Sequence, residues 1–184
     1  MKQYLLSAWN IIDPIYYQFT RLKYIRDHNQ QKTLFRVRLT RYRGSRLVLS
    51  DQTVINKNDL LVKIHLHNVR VLTEMAQIKS EIRRAVYIYH MIKRALPQLA
   101  QYIQTHKKAH QIKGIIGITS LYRGAERLGF DVRLINNPFY RRLKTATCAF
   151  INILSNNKFR HNPAYLLMSK QKMNSTYAPS TPNN

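Results

Sequence analysis

Phe35-Arg36-Val37-Arg38-Leu39 is the stretch on which the fold turns. Apolar side chains hold the odd positions and arginines the even ones. A period of two separates an apolar face from a polar one only in a strand. The segment is therefore expected to be a half-buried strand with a basic outer face. Downstream, Arg43-Gly44-Ser45 reads as a turn and Arg46 to Leu49 as a second strand. Ser50-Asp51-Gln52 turns the chain again, Val54-Ile55 is a short third piece, and Asn56-Lys57-Asn58-Asp59 is one more turn. Leu60 to His67 is the next strand, so residues 34–67 predict an antiparallel meander.

Outside this block the period lengthens. Residues 2–12 read as a short helix, and Asp13-Pro14 as a cap and first helical residue for the next. Ile15, Phe19, Leu22 and Ile25 then form its apolar stripe. After Asn68, a cap candidate, helical spacing runs through Leu72, Met75, Ile82, Val86, Tyr89, Ile92 and Leu96, and Pro97 is expected to restart a shorter helix. Ile112 to Thr119 and Asp131 to Ile135 read as strands around a short helix that Gly129 closes. Asn137-Pro138 opens a helix, and Asn162-Pro163 a last short one through Leu166 and Leu167. The fold class expected is α+β. An antiparallel strand meander is covered by helices, with a C-terminal strand-helix-strand-helix part in the same domain. That domain is expected over residues 1–173, and a disordered polar tail over 174–184.

The chain has 184 residues, 31 Lys and Arg against 8 Asp and Glu, and a net charge of +23. Since 45% of the residues are hydrophobic, a disordered basic chain is excluded. The single cysteine excludes a disulfide scaffold. Cys148, among Ala146, Phe150 and Ile151, reads as a buried small residue. The longest uncharged stretch, Thr145 to Asn157, is interrupted by Asn and Ser and is too short to span a bilayer. With no cleavage site after the first apolar run, a cytoplasmic location is expected, with peripheral membrane attachment left open.

Leu49-Ser-Asp-Gln-Thr-Val-Ile-Asn-Lys-Asn-Asp59 together with Ile64-His-Leu-His-Asn68 resembles the YkoP-like proteins of Bacillus-type bacteria. Gly117-Ile-Thr, Arg127-Leu-Gly-Phe-Asp-Val132 and the opening Trp9, Ile12 and Asp13 add to the resemblance, which covers roughly residues 5–155. The sequence departs from that pattern at Gln52 and Asn58, where turn glycines are expected. A similar domain is found behind polysaccharide deacetylase domains, so the resemblance implies a cell-envelope glycan context. It implies no activity, and the clustered Asp and His of a deacetylase are missing from this sequence.

Two candidate sites follow from the residues. His65, His67 and Asn68 lie at a strand end, where positions two apart share a face, and a histidine there could serve as a general base. Zinc wants three or four ligands, and no carboxylate is spaced to complete the pair, so no metal and no cofactor are assigned. A solvated strand face with an Asn cap is the plainer explanation. Arg36, Arg38, Arg41 and Arg43, with Tyr42, form a basic patch suited to phosphates or carboxylates. Lys107-Lys108 beside His106 and His110, and Arg141-Arg142 with Lys144, are further basic clusters. Trp9, Ile11, Ile12, Tyr16 and Tyr17 could lie on a membrane surface, although a helix packed on the sheet is favoured. The Gly-rich phosphate loop and the nucleophile elbow are both absent.

The function expected is a non-catalytic accessory or binding module in an envelope context. Its partner would be an anionic polymer or surface: an envelope glycan, a phospholipid or an acidic protein. An enzyme acting on an envelope glycan or its precursor through His65 and His67 is the alternative. Non-specific nucleic-acid binding is permitted by the charge but disfavoured, because no recognisable reading module is present.

Overall fold

A computed structural model describes residues 22–27, 29–66, 68–75, 77–120, 122–142 and 162–178. Its centre is a six-stranded sheet in the order β1-β2-β5-β6-β8-β7. The strands are β1 (Lys23–Arg26), β2 (Lys32–Arg41), β5 (Leu60–Leu66), β6 (Ile112–Thr119), β7 (Asp131–Leu134) and β8 (Ala164–Ser169). Two short strands, β3 (Leu47–Val48) and β4 (Val54–Ile55), form a separate hairpin. Three helices are named here: α1 (Asn68–Met75), α2 (Glu81–Thr105) and α3 (Lys170–Tyr177). The expected α+β class holds, with antiparallel pairing dominant. Four of the five pairings in the main sheet are antiparallel, and β5–β6 alone is parallel. A parallel pair needs a long crossover, and α1 and α2 supply it.

The period-two reading of residues 35–39 is met. Phe35, Val37 and Leu39 join the core under the helices, together with Val62 and Ile64 of β5 and Leu96, Leu99 and Ile103 of α2. The opposite face carries a smaller core of Leu49, Ile55, Leu61, Ile116 and Leu167 beneath the β3–β4 hairpin. The expected outer face is thus partly an inner one: Arg36 is only 3% exposed. The meander is also modified. β2 pairs directly with β5, Phe35 opposite Leu66 through Arg41 opposite Leu60, and the hairpin is an insertion folded over the sheet.

Several boundaries move for physical reasons. Leu22 and Ile25, expected on a helical stripe, flank and occupy strand β1. A spacing of three in so short a run fits either structure, and the tight return to β2 decides it. There the Asp27 carboxylate accepts the N–H groups of Asn29 and Gln31 at 3.0 and 2.8 Å, and Gln30 takes a φ of 58°. The long helical pattern after Asn68 splits where Ser80 caps α2, its hydroxyl accepting the Arg83 N–H at 3.4 Å. Pro97 does not restart a helix but lies inside α2. Leu96, Leu99, Ala100 and Ile103 are fully buried around it, and that burial offsets an interior proline costing about 3 kcal/mol.

The last expected helix, Pro163 to Leu167, is instead strand β8. Lying between β6 and β7, it buries residues on both faces, so its continuous apolar run carries no alternation to read. Residues 174–177, expected in the polar tail, complete α3, and the Tyr177 hydroxyl donates to the Leu128 carbonyl at 3.0 Å. The two departures from the family pattern sit where a turn glycine would be expected. Gln52 and Asn58 take φ of 64° and 72°, the left-handed region that glycine favours. The helices expected before residue 22, Cys148, and the Trp9 segment lie outside the described residues.

Candidate functional site

Alternation along β2 and β5 places Arg36, Arg38, Lys63 and His65 on the sheet face opposite α2. Arg36 stands directly across from His65, and Arg38 from Lys63. Tyr24 of β1 lies next in the row, opposite Arg36. The Arg36 guanidinium donates to the Tyr24 hydroxyl at 2.5 Å and lies 4.8 Å from that ring's centre, while the Lys32 ammonium lies 4.7 Å from the same centre. The buried Arg36 is therefore a packed member of the fold. Arg38, Lys63 and His65 are partly buried.

The four arginines expected to form one patch divide into two pairs. Arg36 and Arg38 belong to this inner row. Arg41 and Arg43 are exposed at the end of β2. There the Tyr42 N–H donates to the Asp59 carbonyl at 2.9 Å and the Asn58 N–H to the Tyr42 carbonyl at 2.8 Å. These bonds set exposed Lys57 beside Arg41 and Arg43, and Arg41 itself donates to the Asn58 carbonyl at 2.9 Å.

Of the histidine candidates, only His65 can be placed. His67 and the side chain of Asn68 lie outside the described residues, although Asn68 is the first residue of α1. Among the described residues no three His, Cys, Asp or Glu side chains gather in a metal-ligand group. His106 is held below the usual imidazole range by burial and by the charges of Lys23, Lys107 and Lys108. Residues 138–142 are helical, as expected after Asn137-Pro138, with Arg141 and Arg142 in that stretch, and the Asn137 side chain accepts the Tyr140 N–H at 2.9 Å.

A second cluster draws on three distant places in the chain. Ser50 and Asp51 lie in the β3–β4 turn, Asp131 begins β7, Ser169 ends β8, and Lys172 lies in the first turn of α3. The buried Ser169 hydroxyl accepts the Lys172 N–H at 2.9 Å, capping α3, and donates to the Asp51 carboxylate. The Asp131 carboxylate accepts the Ser50 N–H and hydroxyl, each at 3.1 Å, and the Lys172 ammonium donates to the Ser50 hydroxyl at 3.0 Å. Burial alone would raise the Asp51 carboxyl. Hydrogen bonds from Ser169 and Thr53 outweigh it and hold the group below the usual carboxylate range. The cluster clasps the hairpin to the C-terminal helix. No local spacing could have revealed it, since its members meet only through sheet order.

The YkoP domain matches residues 2–177. This chain belongs to the YkoP family. A Bacillus subtilis (strain 168) protein named "Uncharacterized protein YkoP" is 49% identical over 181 residues, covering 96% of this chain and 98% of its own. No solved structure matches the chain. The match spans every element of the YkoP-family chain described here, the Ser50–Ser169 clasp included.

Proposed function

We propose that this YkoP-family chain is a non-catalytic accessory module that engages an anionic polymer of the cell envelope. The exposed group of Arg41, Arg43 and Lys57 at the end of β2 carries the reading. Backbone bonds between residue 42 and residues 58–59 hold the two segments together, so three cations are presented from a rigid sheet end. Arg41 spends one of its five donors on Asn58, which fixes its direction. Guanidinium groups so presented suit phosphate and carboxylate oxygens. The net charge of +23 adds long-range attraction for a polyanion. Arg36 and Arg38 serve by holding the face behind this tip.

The proposed place of action is the cytoplasmic side of the membrane, peripheral to it. No helix among the described residues is long and apolar enough to cross a membrane. The test is binding of the full chain to polyphosphate as a soluble probe, followed across salt concentrations. Arg41→Gln with Arg43→Gln is expected to weaken binding and to lower the logarithmic salt slope by ~1–2, one contact or more. An unchanged affinity and slope would refute the assignment. Equal binding to phosphatidylglycerol vesicles and stronger dependence on Trp9 would move the reading to a lipid surface.

A further inference from the structure

A groove of about 450 Å³ runs between the outer edge of β1 and one face of α2. Its helical wall is Gln98, Gln101, Tyr102 and Thr105, residues spaced by three, one and three that share one side of the helix. The volume falls in the range of small-ligand sites. Such sites are mostly apolar, whereas this one is walled by amides, hydroxyls and strand backbone.

The charge of this groove sets it apart from the rest of the chain. Among the described residues that line it, the charged side chains are Arg26 and Asp27, one of each sign. Both are engaged in the turn at the end of β1: Arg26 donates to the Gln30 carbonyl at 2.7 Å, and Asp27 accepts two backbone N–H groups. In a chain of net charge +23, these two lining charges cancel, and the nearest further cation on the same wall, Lys32, is set over the Tyr24 ring. An anion gains little here that the rest of the surface does not offer.

The remaining groups point to hydroxyls. The Gln98 side-chain oxygen is buried and has no hydrogen-bond partner among the described residues. An unpaired buried acceptor costs free energy, and turning the Gln98 amide into the groove to meet a ligand donor would recover it. The exposed Gln101 adds an amide one helical turn on, with both donor and acceptor. Tyr102 is half-buried, and that burial raises its phenol above the usual range, so it stays a neutral donor with an apolar ring face. Amides that pair with hydroxyls, beside a ring that meets C–H groups, are the chemistry of an uncharged sugar.

We propose that the β1–α2 groove binds one neutral sugar unit, with Gln98 accepting a ligand hydroxyl. The site is separate from the Arg41–Arg43 tip, and either assignment can fail alone. The test titrates the full chain with cellobiose and N,N′-diacetylchitobiose while following side-chain amide resonances by NMR. Saturable shifts at Gln98 and Gln101 with a millimolar or tighter Kd are expected. Gln98→Leu is expected to weaken binding roughly tenfold, the size of one hydrogen bond, while keeping or raising thermal stability. If that variant fails to fold, Gln101→Ala on the exposed side must show the loss instead. Arg41→Gln/Arg43→Gln must bind these sugars as the parent does. No shift with either sugar, or parental affinity in the Gln98 or Gln101 variant, would leave a hydrated groove only and overturn the proposal.

Discussion

Replacing Ser169 by alanine tests whether the clasp between hairpin and C-terminal helix stabilises the fold. Ser169 is 1% exposed, and its hydroxyl makes two bonds, accepting from Lys172 and donating to Asp51. Losing a serine N-cap costs about 1 kcal/mol. A hydrogen bond to a charged group contributes about 1.5–3 kcal/mol, and partial solvation of Asp51 brings that to about 1. The sum, about 2 kcal/mol, corresponds to a fall in Tm of about 4–8 °C for a domain of this size. Calorimetry at neutral pH measures it, and Ser175→Ala, which removes an exposed hydroxyl bonded within the same helix, serves as the control.

Acid supplies an independent check. The folded Asp51 carboxyl sits below its usual range, so the folded chain binds that proton less readily than the unfolded chain. Its contribution is therefore full above the ordinary carboxylate pKa of ~4 and is lost as pH falls through the depressed folded value. The gap between parent and Ser169→Ala should narrow on acidification. A variant as stable as the parent at neutral pH, or a gap unchanged in acid, would refute the argument.

Two further predictions concern backbone geometry. Gln52→Gly should raise stability by about 0.5–1 kcal/mol, because relief of a left-handed φ outweighs the added chain entropy. Asn58→Gly should gain less, since asparagine tolerates that region better. Urea denaturation midpoints decide both, and a lower midpoint for Gln52→Gly would contradict the turn assignment. Gly114→Ala should destabilise by about 2 kcal/mol or more, since the new Cβ would lie 2.3 Å from the Met168 carbonyl oxygen. Faster amide exchange along β6 and β8 is the expected signature, and a fully tolerated alanine would mean that these strands are not held so close.

Sequence patterning reached some of this fold and stopped at identifiable places. Residues 35–39 showed their strand because one face meets helices and the other carries arginine. Tyr165 to Met168 did not, because burial on both faces erases the alternation. Ile112 to Thr119 was bounded correctly, with Gly114 marking the close approach to β8. The proline at 97 misled because local backbone cost is smaller than the burial around it. At the candidate site, charge was visible in the arginines, but their division was not. Whether Arg36 faces water depends on what packs over the sheet, and the Arg41–Lys57 neighbourhood depends on a backbone pairing across sixteen residues. Gln98, an unremarkable polar residue on an amphipathic helix, gave no signal until β1 was placed beside it.

The parallel pairing of β5 with β6 divides the molecule in a way its single sheet conceals. β1-β2-β5 and β6-β8-β7 are each antiparallel three-strand units, and that pairing is the seam between them. Each unit can form its own strand pairs without the other. The seam closes only after α1 and α2 have carried the chain across, so its contacts carry the larger loop-closure cost. Assembly of this sheet is therefore better pictured as the docking of two halves under a common helix than as the growth of one meander. A cut in the α1–α2 connection would leave each half its strand partners but strip α2 from β1 and β2 and part the hairpin from α3.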